Sequence, residues 1–263
     1  MAEANAALIE LRNVSIVRNG RVVLRELNLS IADGEHVAIM GPNGAGKSTL
    51  IKTITRELYP LYQAGSSMKL FGQETWNVSE LRSMLGIVTN DVDLFYSRPI
   101  TGHDAVLSGF FSSVGLSRHQ TVRPEMVEKT AELMAWLGIG HLAERLIGEM
   151  SSGEVRRVMI ARALVHEPRA LLFDEPSNSL DVFAQKELRR TMSKLAQSGI
   201  AVLLITHHLP DVVPEIERVI FVRDGLIVGD GPKPEMLTAE RLGAVFGCPV
   251  QVTKQDGYYH LVS

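Results

Sequence analysis

An α/β fold is predicted for this chain, with an antiparallel β section ahead of a parallel core and a helical insertion within that core. Three observations predict it. Apolar residues recur at near period two between Ile9 and Ile31, a short all-apolar run at Val37 to Met40 enters a glycine-rich loop, and strand signals lapse after Thr89 until Ala170.

The elements follow in order. Ile9, Leu11, Val14 and Ile16, then Val23, Leu27, Leu29 and Ile31, alternate with polar residues and read as two antiparallel strands. After the turn Ala32-Asp33-Gly34, Val37-Ala38-Ile39-Met40 suits a strand buried on both faces. From Ser48, residues Leu50, Ile51 and Ile54 share one helical face, with Pro60 beyond the helix end. Ser79 to Leu85 reads as a short helix with Ser79 as N-cap, and Gly86 to Thr89 as a strand. Pro124 suits a first helical position, and Met126, Val127, Thr130, Met134 and Leu137 keep helical spacing up to Gly138. Strands resume at Ala170 to Phe173, Ile200 to Ile205 and Val219 to Val222, with a helix at Val182 to Leu195. Asp224-Gly225 marks a hairpin, and Gly247 closes a helix from about Ala239 to Phe246, leaving a short tail from Cys248.

The chain has 263 residues, 45% hydrophobic and 22% charged, an ordinary globular balance with room for a substantial core. A net charge of −3 supplies no broad cationic field, so no direct binding of nucleic acid is expected. A single cysteine, Cys248, excludes an internal disulfide or a thiolate metal cluster and is read as a small buried apolar residue in a reduced compartment. Met1 to Glu10 lacks the pattern of a signal peptide, and no apolar run reaches the roughly 20 residues of a membrane helix. The expected location is cytoplasmic, with any membrane contact made through a partner.

Gly41-Pro42-Asn43-Gly44-Ala45-Gly46-Lys47-Ser48 matches the phosphate-loop pattern, placed after a buried strand and at the opening of a helix. Glycines let successive N–H groups turn inward toward phosphate oxygens, and the helix N-terminus adds its partial positive charge. Lys47 is assigned to the β and γ phosphates and Ser48 to Mg²⁺. Leu171-Leu172-Phe173-Asp174-Glu175 ends a buried strand on two carboxylates, where open α/β sheets place ligands. Asp174 suits a hydrated Mg²⁺, and Glu175 is placed to polarise a water attacking the γ phosphate.

The order GPNGAGKST (41–49), MSSGE (150–154), LLFDEP (171–176), SNSLD (177–181) and ITHH (205–208) resembles the ATP-binding cassette ATPases over residues 8–246. The resemblance implies one cassette domain over 1–263. Within it, a P-loop NTPase core (1–90 and 166–263) would carry an antiparallel β subdomain, and an inserted α-helical subdomain (91–165) would bear the signature sequence. It implies ATP and Mg²⁺ as cofactors, with Gly41 to Thr49 cradling the nucleotide. Ser151, Ser152 and Gly153 would meet the γ phosphate bound by a second copy of the chain or a related ATPase. Ser179 and Asp181 would belong to the loop linking the two sites, and His207 would contact the γ phosphate. Catalysis falls to Glu175, His207 and Lys47.

Three positions depart from the family pattern. Asn90 stands where a Mg²⁺-sensing glutamine is usual and is one methylene shorter; it is counted here with Ser48 and Asp174 as the metal set. Arg18 stands where an aromatic ring usually meets adenine, and either stacks on the base or is solvated. Ser152 replaces a glycine of the signature. The remaining histidines show no paired metal-ligand spacing.

The leading functional expectation is an ATPase subunit driving a separate membrane permease from the inner face of the membrane. Gly109-Phe110-Phe111, with Leu107 and Val114, either lines the permease groove or belongs to the core of the insertion. The alternative function is a non-transport ATPase acting on a protein or ribonucleoprotein partner, which Asn90 favours and the single cassette disfavours. A nucleotide-binding regulator without turnover fits poorly with Lys47, Asp174, Glu175 and His207 together.

Overall fold

The computed structural model describes residues 7–89 and 93–262. Asn90 lies outside the described residues. In chain order, the first elements are β1 (Ile9–Arg18), β2 (Arg21–Ile31), β3 (Val37–Met40), α1 (Lys47–Ile54) and β4 (Ser67–Leu70). There follow α2 (Val78–Met84), β5 (Leu85–Val88), α3 (Asp93–Tyr96), α4 (Gly102–Leu107), α5 (Pro124–Trp136) and α6 (Ser152–Leu164). The chain continues through β6 (Ala170–Asp174), α7 (Val182–Gln197), β7 (Ala201–Thr206), β8 (Arg218–Arg223) and β9 (Leu226–Pro232). It ends with α8 (Lys233–Met236), α9 (Ala239–Phe246), β10 (Gln251–Gln255) and β11 (Tyr258–Val262).

The chain forms two compact units, one of residues Met1–Leu81 with Leu195–Ser263 and the other of Arg82–Lys194. In the first unit, β1 pairs antiparallel with both β2 and β4. Its inward residues Ile9, Leu11, Val14 and Ile16 are buried, as period-two alternation requires of a sheet with one wet face. The same unit holds β3 between β7 and β8, parallel to both, and β9 extends β8 antiparallel. Every residue of β3 and β7 is buried, which is why both read as continuous apolar runs. Arg218 locks this layer at one end, donating to Asp230 on β9 at 2.7 Å and to Glu35 in the turn before β3 at 3.1 Å.

The second unit pairs β5 with β6 in parallel and surrounds them with helices. Its buried side chains include Ala105, Val106, Met134, Ile139, Ile147, Val158 and Ile160. Thr101 caps α4, accepting from the Asp104 N–H at 3.1 Å, and Pro124 starts α5 where its missing N–H costs nothing.

Several readings of the sequence are corrected. Asn77, not Ser79, caps α2: its Oδ1 accepts from the Ser79 N–H at 2.9 Å and its carbonyl from the Leu81 N–H at 2.9 Å. Cys248 is exposed, because α9 ends at Gly247 in the left-handed region and the chain leaves the stripe formed by Leu242 and Val245. The tail is a hairpin, β10 with β11, turning at Asp256-Gly257 and packing near Pro214. Strand β4 went unread although Met68 and Leu70 alternate inward. Leu107 and Gly109 are buried in the helical unit, while Phe110, Phe111 and Val114 are half-buried.

The β8–β9 turn touches the glycine-rich loop. Gly225 N–H donates to the Ala45 carbonyl at 3.0 Å, and its own carbonyl accepts from Arg25 N–H at 2.9 Å. Gly225 has φ +77°, and a Cβ there would lie 2.1 Å from the Val23 carbonyl oxygen. Gly225→Ala is expected to destabilise the fold by more than about 2 kcal/mol, and Gly34→Ala, strained at φ +78° but with open space around it, by about 1 kcal/mol. Thermal unfolding followed by circular dichroism checks the difference; equal losses would mean the close approach carries no weight.

Candidate functional site

The loop Gly41 to Gly46 leaves the buried end of β3 and enters α1 without a side-chain cap, at the kind of helix start that suits an anionic ligand. Gly46 takes φ +106°, closed to most side chains, and a Cβ there would fall 2.7 Å from Leu24 Cδ2. The Lys47 ammonium is buried and donates to the carbonyls of Gly41 at 2.8 Å and Pro42 at 3.2 Å, which arches the loop around it. Pro42 is half-buried, Asn43, Gly44 and Ser48 are exposed, and Ala45 and Thr49 are buried. The loop therefore brings backbone N–H groups, an ammonium and an exposed hydroxyl together. That is the donor set an anionic phosphate chain needs.

In the same unit His207 follows the end of β7 and is half-buried, its ring 4.0 Å from that of His208. Thr206 and Asp211, both fully buried, fix the backbone around it. Thr206 Oγ1 accepts from the His208 N–H at 3.0 Å and lies 3.5 Å from Asp211 Oδ2. Lys233 braces the loop beyond, donating to the carbonyls of Val213 and Pro214 at 3.1 and 2.9 Å. Arg18 is exposed at the tip of β1, where it shares an open depression with Asn19, Arg21 and Val23.

The helical unit carries the other residues. Asp174 and Glu175 close β6 half-exposed, and Glu175 is held at φ +46°, a conformation unusual for a non-glycine residue. Asn178 N–H donates to the Glu175 carbonyl at 3.2 Å, tightening the turn. An ionised carboxylate that is both half-exposed and backbone-constrained can hold a hydrated divalent cation or accept a proton from water; the chemistry of the pair fits Mg²⁺.

Ser151 is the N-cap of α6 and forms a capping box with Glu154. Glu154 Oε2 accepts from the Ser151 N–H at 2.8 Å and Oγ–H at 2.9 Å, and Arg145 lies 3.0 Å from Oε1. The Ser151 backbone N–H, then the Ser151 hydroxyl and the charges of Arg145 and Arg157, pull the Glu154 carboxyl below its usual range. Ser152 Oγ donates to the Ser179 carbonyl at 3.4 Å, so the residue that replaces glycine ties the signature to the loop 177–181. Gly153 cannot gain a side chain without meeting Ala184 Cβ at 2.6 Å. Asp181 caps α7, accepting from Ala184 N–H at 2.8 Å. The exposed Val182 and Phe183 follow it, 83% and 71% accessible, an apolar pair that sequence reasoning passed over.

Among the described residues, no group of three or more His, Cys, Asp or Glu is arranged to hold a metal, and no helix is long and apolar enough to cross a membrane.

Comparison with known proteins returns one family. Its model, that of the ABC transporter family, matches residues 24–178. An uncharacterized ABC transporter ATP-binding protein of Bacillus subtilis (strain 168), YlmA, is 30% identical over 93% of this chain and 93% of its own. The hemin import ATP-binding protein HmuV of Photobacterium damsela subsp. piscicida is 30% identical over 96% of this chain and 94% of its own. A crystal structure of a nucleotide-free ATP-binding cassette from an ABC transporter superposes with a TM-score of 0.76 at 24% identity, covering 91% of this chain and 94% of that one.

Because Glu154 is depressed in the folded state, its contribution is complete above the unfolded carboxyl pKa and is lost as pH falls through the lower folded value. Between pH 6 and pH 3 the wild type should therefore lose about 0.5–1 kcal/mol more than Glu154→Gln, the low end reflecting a solvent-facing cap. Urea unfolding at the two pH values measures it, and parallel losses in both proteins would remove Glu154 from the cap.

Proposed function

Since the chain belongs to the ABC transporter family and is an ATP-binding ATPase subunit, we propose that it dimerises around two MgATP and powers a separate membrane permease. The observation that carries this reading is the placement of a capped, small-residue signature at the start of α6, together with a phosphate loop and a carboxylate pair at strand ends. A helix N-terminus whose first residues are Ser, Ser and Gly can approach a γ phosphate closely, with its N–H groups and dipole directed at the charge. The exposed Val182 and Phe183, beside the capping Asp181, supply apolar area of the kind that self-association covers.

In this reading, Gly41 to Thr49 hold the phosphates, Lys47 offsets charge on the β and γ groups, and Arg18 stacks on the base. Ser48 and Asp174 would hold Mg²⁺, with Asn90, one methylene shorter than glutamine, at the sensor position. When bound, Mg²⁺ neutralises charge that develops on the transferred phosphoryl group. Glu175 accepts a proton from the attacking water, His207 holds the γ phosphate in line, and Ser151, Ser152 and Gly153 act on the nucleotide of the second copy. Hydrolysis removes the γ phosphate that both chains contact, so the dimer reopens. The ATPase subunit would work from the cytoplasmic face of the membrane, and relatives named for hemin import support inward movement of cargo.

Glu175→Gln should reduce turnover by at least about a hundredfold while ATP affinity stays within a few-fold, because the amide cannot accept the proton. Steady-state hydrolysis and equilibrium nucleotide binding test the pair of claims. Turnover within a few-fold of wild type would take the base away from Glu175.

MgATP added to the Glu175→Gln protein should convert monomer to dimer, since each nucleotide supplies part of the interface. Adding Ser151→Arg should abolish the conversion by placing bulk and charge at the signature. Multi-angle light scattering reads the outcome; a monomer at saturating MgATP and high protein concentration would count decisively against the shared site.

A further inference from the structure

Arg156 lies on α6 one turn beyond the signature residues and is 7% exposed. A guanidinium at that depth must be met by acceptors or by opposite charge, because burial alone works strongly against its charged form. Arg156 finds both. Its Nη1 donates to the Thr89 carbonyl at 2.7 Å, a short charge-assisted hydrogen bond, and Tyr96 and the Asp174 carboxylate favour its charge.

Where those partners stand matters more than their number. β5 and β6 run parallel with Val88 opposite Phe173, so Thr89 and Asp174 continue the two strands at their carboxyl ends. Arg156 thus reaches from α6 to the end of β5, just before position 90, and that end runs beside the end of β6, which bears the carboxylate assigned to Mg²⁺. A simple packing role would be served by an apolar residue of similar volume at no desolvation cost. The long, forked side chain instead bonds the Thr89 carbonyl and keeps its charge within the field of the Asp174 carboxylate.

We propose that Arg156 is a positioning residue: it holds Asp174 and the Thr89 carbonyl in fixed relation to the signature helix, so that Mg²⁺ handling depends on where α6 stands. The proposal rests on the reading of Asp174 as the Mg²⁺ carboxylate. Arg156 touches neither nucleotide nor reacting water; it acts through Asp174.

The test uses the full chain and a ribose-labelled fluorescent ATP, titrated once with Mg²⁺ and once with EDTA. Arg156→Ala should cut the Mg²⁺-dependent gain in affinity by about fivefold or more and leave the affinity in EDTA within about twofold. Arg156→Lys, which keeps the charge and much of the reach, should recover most of that loss. In an Asp174→Asn background the same Arg156 substitution should have no further effect, since two residues acting through one group are not additive. Hydrogen exchange in residues 85–89 should accelerate in Arg156→Ala and return toward wild type in Arg156→Lys. Should Arg156→Ala fail to fold, Arg156→Gln takes its place in every arm.

Failure separates cleanly. If Asp174→Asn leaves the Mg²⁺-dependent gain intact, the Mg²⁺ assignment falls and the role of Arg156 falls with it. If Asp174→Asn removes the gain but Arg156→Ala spares it, or weakens binding equally with and without Mg²⁺, the proposal is overturned and Arg156 is a packing residue.

Discussion

A phosphate site made of backbone must turn its N–H groups inward, and a loop that does so cannot satisfy itself. In this chain Gly41 to Gly46 meets that constraint by leaning on what lies behind it. Gly225 at the β8–β9 turn donates to Ala45, approaches Val23 at a distance no side chain permits, and accepts from Arg25. The loop is thereby held by β2 of one sheet and the β8–β9 hairpin of the next. Lys47 closes the arch from inside by bonding to the carbonyls of Gly41 and Pro42. Rigidity there is what allows a few N–H groups, rather than a large pocket, to bind a highly charged ligand.

The helical unit solves a different problem with charged side chains. The residues proposed for its chemistry lie at the ends of β5 and β6 and at the start of α6, and polar contacts join these places. Ser152 reaches the loop at Ser179, Glu154 closes the cap on Ser151, and Arg156 reaches Thr89 within the field of Asp174. Each of these bonds fixes backbone rather than filling volume. Such a set can shift as a body when its helix moves, which suits the opening and closing of the proposed shared site.

The family match covers residues of both units. The family match runs from Val23's neighbour Leu24 to Asn178, taking in the phosphate loop, the signature and the carboxylate pair. Identity to these relatives is near 30% across more than nine-tenths of the chain. Ser152 shows how a departure can be absorbed: its hydroxyl finds the Ser179 carbonyl instead of crowding the helix start.

The sequence by itself determined the main strands and helices, though not β4, and the places of Gly41 to Ser48 after β3, of Asp174-Glu175 at the end of β6 and of Ser151 to Gly153 at the start of α6. All are written in local terms: alternation of burial, glycine where φ is positive, a cap residue before a helix. Asn77 and the β10–β11 hairpin were written there too, in an Asn immediately before a helix and an Asp-Gly turn, but short elements carry little periodicity to find them by. Only the tertiary structure decided the rest. That Arg156 is buried against Thr89, that Gly153 meets Ala184, that Cys248 is exposed and that Gly225 supports Ala45 depend on contacts between segments distant in the chain or on where an element stops. A buried arginine and a solvated one look alike in sequence, because the energy that separates them comes from partners that only folding brings near.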